Sequence, residues 1–266
     1  MSDHTDADLL DLAVATAAEA AALVLRMRQE GVDVTGTKSS PIDVVTAADQ
    51  AAEELVRTRL LTARPDDGFL GEEGHDSTGT SGVRWVVDPI DGTVNYLYGL
   101  PEYAVCVAAE RDGVVVAGVV HAPALGAVWT AVRGGGSFHN GHRLAVRAPV
   151  EMAQRLISTG FNYRREVRTL QAGYVQRLLP QVRDVRRRGS CALDLCSVAD
   201  GSSDGYVEEG TNPWDDAAAS LVATEAGARF EVHTSPSGNR VSVASPDAGF
   251  DEFLSVLTNC GFLGNR

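Results

Sequence analysis

The chain contains the stretch Trp85-Val-Val-Asp-Pro-Ile-Asp-Gly-Thr-Val-Asn-Tyr96, from which both its fold and its chemistry can be approached. The apolar run at its start predicts a strand that ends in two carboxylates, Asp88 and Asp91. The proline between them favours an extended backbone before it, and the glycine after Asp91 permits a tight turn. Two acids so placed can converge on one point, where they repel each other unless a hard cation lies between them. We therefore expect metal-assisted hydrolysis.

Three further acidic residues lie where predicted strands or helices begin or end. Glu72 follows the short strand at residues 69–70, and Asp215 opens a helix. Asp49 falls three residues after Thr46, a predicted N-cap. Each of the three, taken alone, is better explained as a solvated loop charge or a helix cap. Together with the first pair they indicate an oxygen-ligand site for two or three Mg²⁺ ions.

The composition excludes several classes of protein. The chain has 266 residues and a formal net charge of −13, which argues against nucleic acid or an anionic membrane as a partner. No apolar run approaches the roughly 20 residues of a membrane span, and the N-terminal stretch is acidic where a secretory signal is basic. The cysteines show no metal-binding spacing, so we expect buried reduced thiols and a cytoplasmic location (Cys106, Cys191, Cys196 and Cys260).

Hydrophobic periodicity predicts an α/β (α+β) chain that forms a single domain over residues 1–266. Residues 1–148 are expected to form a half built on an antiparallel sheet, with a hairpin turn at Asp112-Gly113, and residues 149–266 an α/β half. Helices are predicted at 6–29, 46–62, 165–179, 190–200, 214–226 and 247–258. Strands are predicted at 104–110, 114–121, 127–132, 156–159, 205–208, 229–232 and 241–244.

Two long motifs resemble the signatures of one enzyme family. The first is Asp88–Thr93 with the flanking Trp85 and Tyr96, and the second runs from Trp214 to Ala228. On these motifs the chain resembles the inositol monophosphatase family over most of its length, and within it the bacterial SuhB-type inositol-1-monophosphatases. The resemblance implies the layered αβαβα sandwich of the inositol monophosphatase and fructose-1,6-bisphosphatase type. Supporting segments are Lys38-Ser-Ser-Pro41, Gly71-Glu-Glu73, Asn140-Gly141, Arg187-Arg-Gly-Ser190 and Tyr206-Val-Glu208.

The same resemblance implies which residues hold the metal ions. Glu72, Asp88 and the Ile90 carbonyl would hold a first Mg²⁺. Asp88, Asp91 and Asp215 would hold a second, and Glu72 would help to place a third, weaker ion.

The resemblance also implies roles in catalysis and substrate binding. Thr93, supported by Asp49, would orient and help to deprotonate the attacking water together with Glu72. The backbone amides of the turn would cradle the phosphate, in keeping with amide-rich turns as anion sites. Cys191 stands where alanine is usual, and Asp216, an extra carboxylate beside Asp215, is expected to face solvent. The substrate-binding positions implied are Asp91, Gly92, Thr93, Gly189, Cys191, Glu208 and Asp215.

The resemblance further implies a homodimer, inhibition by lithium, and a phosphorylated polyol as substrate, with myo-inositol 1-phosphate preferred. Histidinol phosphate, fructose 1,6-bisphosphate and 3′-phosphoadenosine nucleotides stay open as alternatives, because a metal site reads only the phosphate. A regulatory protein that binds transcription machinery is the alternative of another class. Such a protein is expected to have lost at least one acidic ligand, and here every implied ligand is present.

Overall fold

The structure is a computed structural model that describes residues 5–264; residues 1–4 of the acidic N-terminal stretch and residues 265–266 lie outside it. Two helices begin at capping boxes, α1 (Asp6–Glu30) after Thr5 and α2 (Ala47–Ala63) after Thr46. In each, the threonine hydroxyl accepts a hydrogen bond from the backbone N–H of the aspartate three positions later. The carboxylate of that aspartate accepts a hydrogen bond from the backbone N–H of the threonine. The predictions for both helices are confirmed.

An eight-stranded sheet follows, and its strands pair antiparallel except at one place. The order across the sheet is β10-β9-β8-β7-β6-β5-β3-β4, and only the β3–β5 pair is parallel. The expected turn at Asp112-Gly113 joins β6 to β7, with φ values of 52° and 80°. The strands are β3 (Gly68–Gly71), β4 (Asp76–Ser77), β5 (Val83–Asp91), β6 (Ala104–Arg111), β7 (Val114–Ala122), β8 (Ala127–Val132), β9 (Gly136–His139) and β10 (His142–Arg143). They are preceded by a two-stranded hairpin of β1 (Val34–Thr37) and β2 (Val44–Thr46).

A five-stranded mixed sheet forms from the later part of the chain, in the order β12-β11-β13-β15-β14. Strand β11 pairs parallel with both neighbours, and β15 pairs antiparallel with β13 and β14. Its strands are β11 (Leu156–Thr159), β12 (Asp184–Arg186), β13 (Gly205–Glu209), β14 (Ala228–Thr234) and β15 (Arg240–Pro246). The remaining helices are α3 (Thr93–Tyr98), α4 (Arg165–Leu178), α5 (Cys191–Ala199), α6 (Pro213–Glu225) and α7 (Phe250–Cys260).

The two sheets alternate with three layers of helix, as the αβαβα expectation requires. One face of the eight-stranded sheet packs on α1 and α2, around Trp85. Its other face meets α5 and α6, which also contact the five-stranded sheet through Tyr206. The far face of that second sheet packs on α4 and α7, around Phe253. Each large apolar side chain buried in these layers contributes about 1.5–3 kcal/mol to the free energy of folding.

Some sequence predictions need correction. Helix α7 begins at residue 250 rather than 247, because Gly249 at φ 102° forms its N-cap. The β1–β2 hairpin was not predicted, and the polar segment around residues 37–41 forms its turn. Within residues 5–264 no helix is both long and apolar enough to cross a membrane. All four cysteines are buried and unpaired, as expected.

Candidate active site

A cavity of about 370 Å³, here called the central cavity, lies at the carboxyl end of β5 and reaches the starts of α5 and α6. Ten of the eleven predicted site residues line it: Glu72, Asp88, Ile90, Asp91, Gly92, Thr93, Gly189, Cys191, Glu208 and Asp215. Asp49, the eleventh, lies directly behind Thr93, whose hydroxyl donates to its Oδ1 at 3.1 Å. The fold thus brings together residues that are separated by up to 166 positions in the sequence.

The turn that carries Asp88 and Asp91 is an irregularity of β5. Between these two residues β5 advances by three positions while the paired β6 advances by two, which is a β-bulge. The Ile90 N–H donates to Asp88 Oδ1 at 3.0 Å, and the Ile90 carbonyl accepts the Thr93 hydroxyl at 3.0 Å. The bulge therefore turns both carboxylates and the carbonyl towards the same cavity.

Asp91 connects the turn to helix α5, in the layer between the two sheets. Its carboxylate accepts the Ser190 hydroxyl and the backbone N–H groups of Cys191 at 3.1 Å and Ala192 at 2.8 Å. These donors form the N-terminus of α5, where a negative charge is stabilised. Burial raises the pKa of Asp91 to about 6, although these hydrogen bonds act in the opposite direction.

The carboxylates of the cavity destabilise one another as anions. Asp88 is 2% exposed, and burial together with the charges of Glu72, Asp91 and Asp215 holds its pKa well above the usual range. The pKa of Asp215 is raised in the same way by burial and by Glu72, although the Asn212 N–H donates to its carboxylate at 2.6 Å. A cation bound among these carboxylates would reduce their mutual repulsion and stabilise their charged forms.

One positively charged side chain of the protein lies beside this carboxylate cluster. Lys38, at the turn of the β1–β2 hairpin, places its Nζ 2.8 Å from Glu72 and 2.6 Å from Glu73. Burial lowers the pKa of Lys38, but the two glutamates outweigh it and the net shift is upward. Sequence reasoning named the segment of Lys38 as supporting evidence without giving this lysine a role.

The oxygen-bearing groups that line the cavity are suitable ligands for a hard divalent cation. They are carboxylates and one backbone carbonyl, the ligand types that Mg²⁺ prefers, and a cation among them would relieve their repulsion. Among residues 5–264 no three acidic, histidine or cysteine side chains are already arranged as a metal cage. Several of the cavity's carboxylates instead bond within the protein: Glu72 to Lys38, Asp91 to α5, and Asp215 to Asn212.

Asp49 combines the role of a helix cap with that of a partner for Thr93. It is fully buried, accepts the Thr46 N–H at 2.8 Å through one oxygen, and accepts the Thr93 hydroxyl through the other. Burial raises the pKa of Asp49 to about 6, the bonds from Thr46 oppose this shift, and the charge of Glu72 adds to it. The two interpretations of Asp49 are therefore compatible.

Glu53 is a buried acid that sequence reasoning missed. It accepts the N–H of Glu73 at 2.8 Å and the ring Nδ1 of His75 at 2.7 Å, so it holds the loop that carries Glu72. A Cβ at Gly71 would lie 2.4 Å from the Glu53 carboxyl group, which explains the glycine there. The available signal was an acid four positions after Asp49, on the face of α2 that packs inward.

A chain of hydrogen bonds joins Cys191 and Glu208, two residues that line the cavity. The Tyr206 hydroxyl donates to Glu208 Oε2 at 3.0 Å and lies 2.9 Å from the Cys191 Sγ, where either atom can be the donor. Burial and the charge of Asp194 raise the pKa of Glu208 to about 8. Sequence reasoning missed the role of Tyr206 as the link between the two.

Asp216 does not face solvent, and this prediction was wrong. Its side chain is 4% exposed and accepts hydrogen bonds from both terminal nitrogens of Arg240 and from the Ser242 hydroxyl at 2.6 Å. The first turn of α6 lies against β15, so the residue next to Asp215 is also enclosed. Its partner, Arg240, lies 24 positions further along the chain on β15. The periodicity of α6 therefore carries no information about this contact.

The chain is similar to known proteins over most of its length. A model of the inositol monophosphatase family matches residues 6–251. The inositol-1-monophosphatase SuhB of Mycobacterium tuberculosis is 43% identical over 275 residues, which cover 96% of this chain and 95% of that protein. The solved structure of Mycobacterium tuberculosis SuhB superposes with a TM-score of 0.84 at 41% identity, covering 98% of this chain and all of that one. The Nus factor SuhB of Pasteurella multocida is 36% identical over 221 residues, 82% of this chain and 83% of that protein.

Proposed function

The chain belongs to the inositol monophosphatase family, and from this premise we propose that it hydrolyses a phosphate monoester with the help of Mg²⁺, preferentially myo-inositol 1-phosphate. The observation that carries the proposal is the enclosure of Glu72, Asp88, Asp91 and Asp215 in one cavity with Thr93. The choice of substrate follows the relative in M. tuberculosis, which is an inositol-1-monophosphatase.

The proposed metal ligands are Glu72, Asp88, Asp91, Asp215 and the Ile90 carbonyl, for two or three Mg²⁺ ions. When bound, these ions would polarise the phosphate oxygens, lower the pKa of water and stabilise the leaving oxygen. The cavity's own carboxylates cannot do this, because at neutral pH they would repel a phosphate.

The chain's own residues orient the reactants. The single hydroxyl proton of Thr93 is shared between Asp49 Oδ1 and the Ile90 carbonyl, so the Thr93 oxygen is left free to accept a hydrogen bond from water. Glu72, in the same cavity, would help to take up the proton of that water. The backbone amides of the Gly92–Thr93 turn would hold the phosphate, and the departing alcohol would take its proton from solvent.

The alcohol would be recognised by the residues around Glu208. Glu208 is bonded to Tyr206 through Oε2, and its carboxyl group can exchange further hydrogen bonds with substrate hydroxyls in either protonation state. Gly189 and Cys191 line the same side, and a Cβ at Gly160 would overlap the Glu208 carboxyl group at 2.0 Å. A half-buried carboxyl group of this kind favours a polyol over an alcohol with few hydroxyls, because a polar group that loses water without gaining a partner is costly.

Three further properties are proposed on family resemblance: a homodimer, inhibition by lithium and a cytoplasmic location. A regulatory role is the second candidate, favoured by the relative that is a Nus factor. The complete set of carboxylates supports catalysis in this chain, because a purely regulatory protein has no use for a buried cluster of repelling acids.

A phosphate-release panel with Mg²⁺ tests the proposal. We expect kcat/KM for myo-inositol 1-phosphate to exceed that for histidinol phosphate, fructose 1,6-bisphosphate and a 3′-phosphoadenosine nucleotide by about tenfold or more. The control substrate is p-nitrophenyl phosphate, which has no hydroxyls for Glu208 and should be turned over poorly. A higher kcat/KM for another member of the panel would reassign the substrate. Absence of release from every substrate would refute the phosphatase.

A further inference from the structure

A polar network lies immediately behind Asp215. Both terminal nitrogens of the Arg240 guanidinium bond to the Asp216 carboxylate, with Nη2 3.0 Å from Oδ1. The two N–H groups of Nη1 are shared among Asp216, the Thr211 hydroxyl at 2.7 Å and the Ser242 hydroxyl at 2.9 Å. Both oxygens of Asp216 are therefore bonded within the protein, and the bidentate geometry fixes the orientation of the two groups.

This network fastens one wall of the central cavity to β15. Residues 210–212 connect β13 to α6, and residues 213–216 form the first turn of α6; Thr211, Asn212 and Asp215 in this segment line the cavity. The segment is attached to β15 at both ends, since the Gly210 N–H donates to the Arg240 carbonyl at 2.8 Å and Asp216 bonds to the guanidinium. Arg240 is therefore the common anchor.

Asp215 has no comparable attachment of its own. Its carboxylate accepts from the Asn212 backbone, which belongs to the same segment. The direction of Asp215 consequently follows the first turn of α6, and that turn is held by the bond of Asp216 to Arg240. Because the pair is neutral in sum, it positions Asp215 without cancelling the negative charge that a cation needs.

We propose that the Asp216–Arg240 pair is a positioning device that aims Asp215 into the cavity and thereby sets the affinity for Mg²⁺. The inference rests on the proposed metal-dependent function. A role in stability alone explains the pair poorly, because desolvation of the buried Asp216 carboxylate and the half-buried Arg240 guanidinium offsets much of their attraction, and apolar pairs of similar volume are often as stable. A bidentate pair adds a fixed geometry, which here sets the direction of the metal ligand Asp215.

Substitution of Arg240→Lys tests the inference, since it keeps the charge and removes the planar fork. We expect the Mg²⁺ Kd of metal-stripped protein, measured by calorimetry, to rise on the order of tenfold, as for other partners of metal ligands. The Mg²⁺ concentration that gives half-maximal phosphate release should rise in parallel, while kcat at saturating Mg²⁺ changes by less than about twofold.

Two further variants separate positioning from stability. Arg155→Lys is the matched control, because Arg155 also pairs with a carboxylate, that of Glu252, and donates to the carbonyls of Val150 and Gly249, all away from the cavity. It should lower Tm without changing the Kd. Asp216→Val combined with Arg240→Leu removes both charges and avoids a buried unpaired ion, and it should weaken Mg²⁺ binding as Arg240→Lys does.

The outcomes are distinguishable. If Arg240→Lys and the paired variant lower Tm but leave the Mg²⁺ Kd at the wild-type value, the pair is only structural and the inference is overturned. If the wild-type protein binds no Mg²⁺ and releases no phosphate, the proposed function fails and the inference fails with it. A rise in the Kd confined to the Arg240 variants supports positioning.

Discussion

Replacement of Asp88 by asparagine is expected to abolish phosphate release and, at the same time, to make the metal-free protein more stable. Asp88 is buried among Glu72, Asp91 and Asp215, whose charges raise its pKa. An asparagine keeps an oxygen to accept the Ile90 N–H and gains an amide that can donate to Glu72. The repulsion is then relieved, but a charged ligand shared by both proposed metal positions is lost.

The expected magnitudes follow from the same contacts. Loss of a ligand that supports several kcal/mol of charge stabilisation should lower kcat/KM by about a thousandfold or more. The Tm of the metal-free protein should rise by about 2–5 °C. In wild type Mg²⁺ should raise Tm, because it binds the folded state, and this shift should be lost in the variant.

Differential scanning fluorimetry with and without Mg²⁺, together with phosphate release, measures these effects. Asp76→Asn is the control, because Asp76 is exposed on β4 and lies outside the cavity; it should leave both activity and the Mg²⁺ shift unchanged. Retention of activity in Asp88→Asn, or a Tm that falls in the metal-free state, would be incompatible with a repelling carboxylate cluster that binds the catalytic ions.

Replacement of Gly92 by alanine should have the second largest effect. Gly92 has φ 96°, where a Cβ is strained by roughly 1–2 kcal/mol. The added Cβ would also lie 2.8 Å from the Glu102 carbonyl oxygen and 3.1 Å from that of Gly189. Both neighbours are backbone, so the turn itself must move and carry Asp91 and Thr93 with it. A displacement of about 1 Å can lower a rate by two orders of magnitude.

Gly113→Ala is the matched control for this substitution. Gly113 has a similar φ of 80°, but an added Cβ would meet no atom within 4 Å. We expect Gly113→Ala to lower Tm and leave kcat/KM intact, and Gly92→Ala to lower Tm further and kcat/KM by about a hundredfold. Equal kcat/KM values in the two variants would mean that the position of the turn does not matter for catalysis.

Local signals in the sequence predicted much of the fold. The capping box of Thr46 and Asp49 and the turn at Asp112-Gly113 are decided by neighbouring residues, and both were found where expected. The parallel pairing of β3 with β5 was not predicted, because it depends on how α2 and the loop after it return the chain to the sheet. The short helix α3 was also missed, since its six residues leave too little periodicity to detect.

The central cavity shows the same division between local and distant information. The acidic residues at the ends of strands and helices, together with the family resemblance, predicted which residues the fold brings together at the cavity. Their supports depend on distant parts of the chain. Glu53 lies on the inward face of α2, a local signal, but it acts through the backbone of another loop. The partners of Asp216 and Asp91 lie on elements far along the chain. Such contacts require the packing of one layer on the next, which no sequence pattern within a single element contains.

Metal removal tests the central claim most directly. Wild-type protein stripped with EDTA should release phosphate from myo-inositol 1-phosphate at less than about 1% of its original rate, because its carboxylates alone repel the substrate. Addition of Mg²⁺ in excess should restore the original rate. Undiminished release from fully stripped protein would contradict a metal-dependent phosphatase at Glu72, Asp88, Asp91 and Asp215.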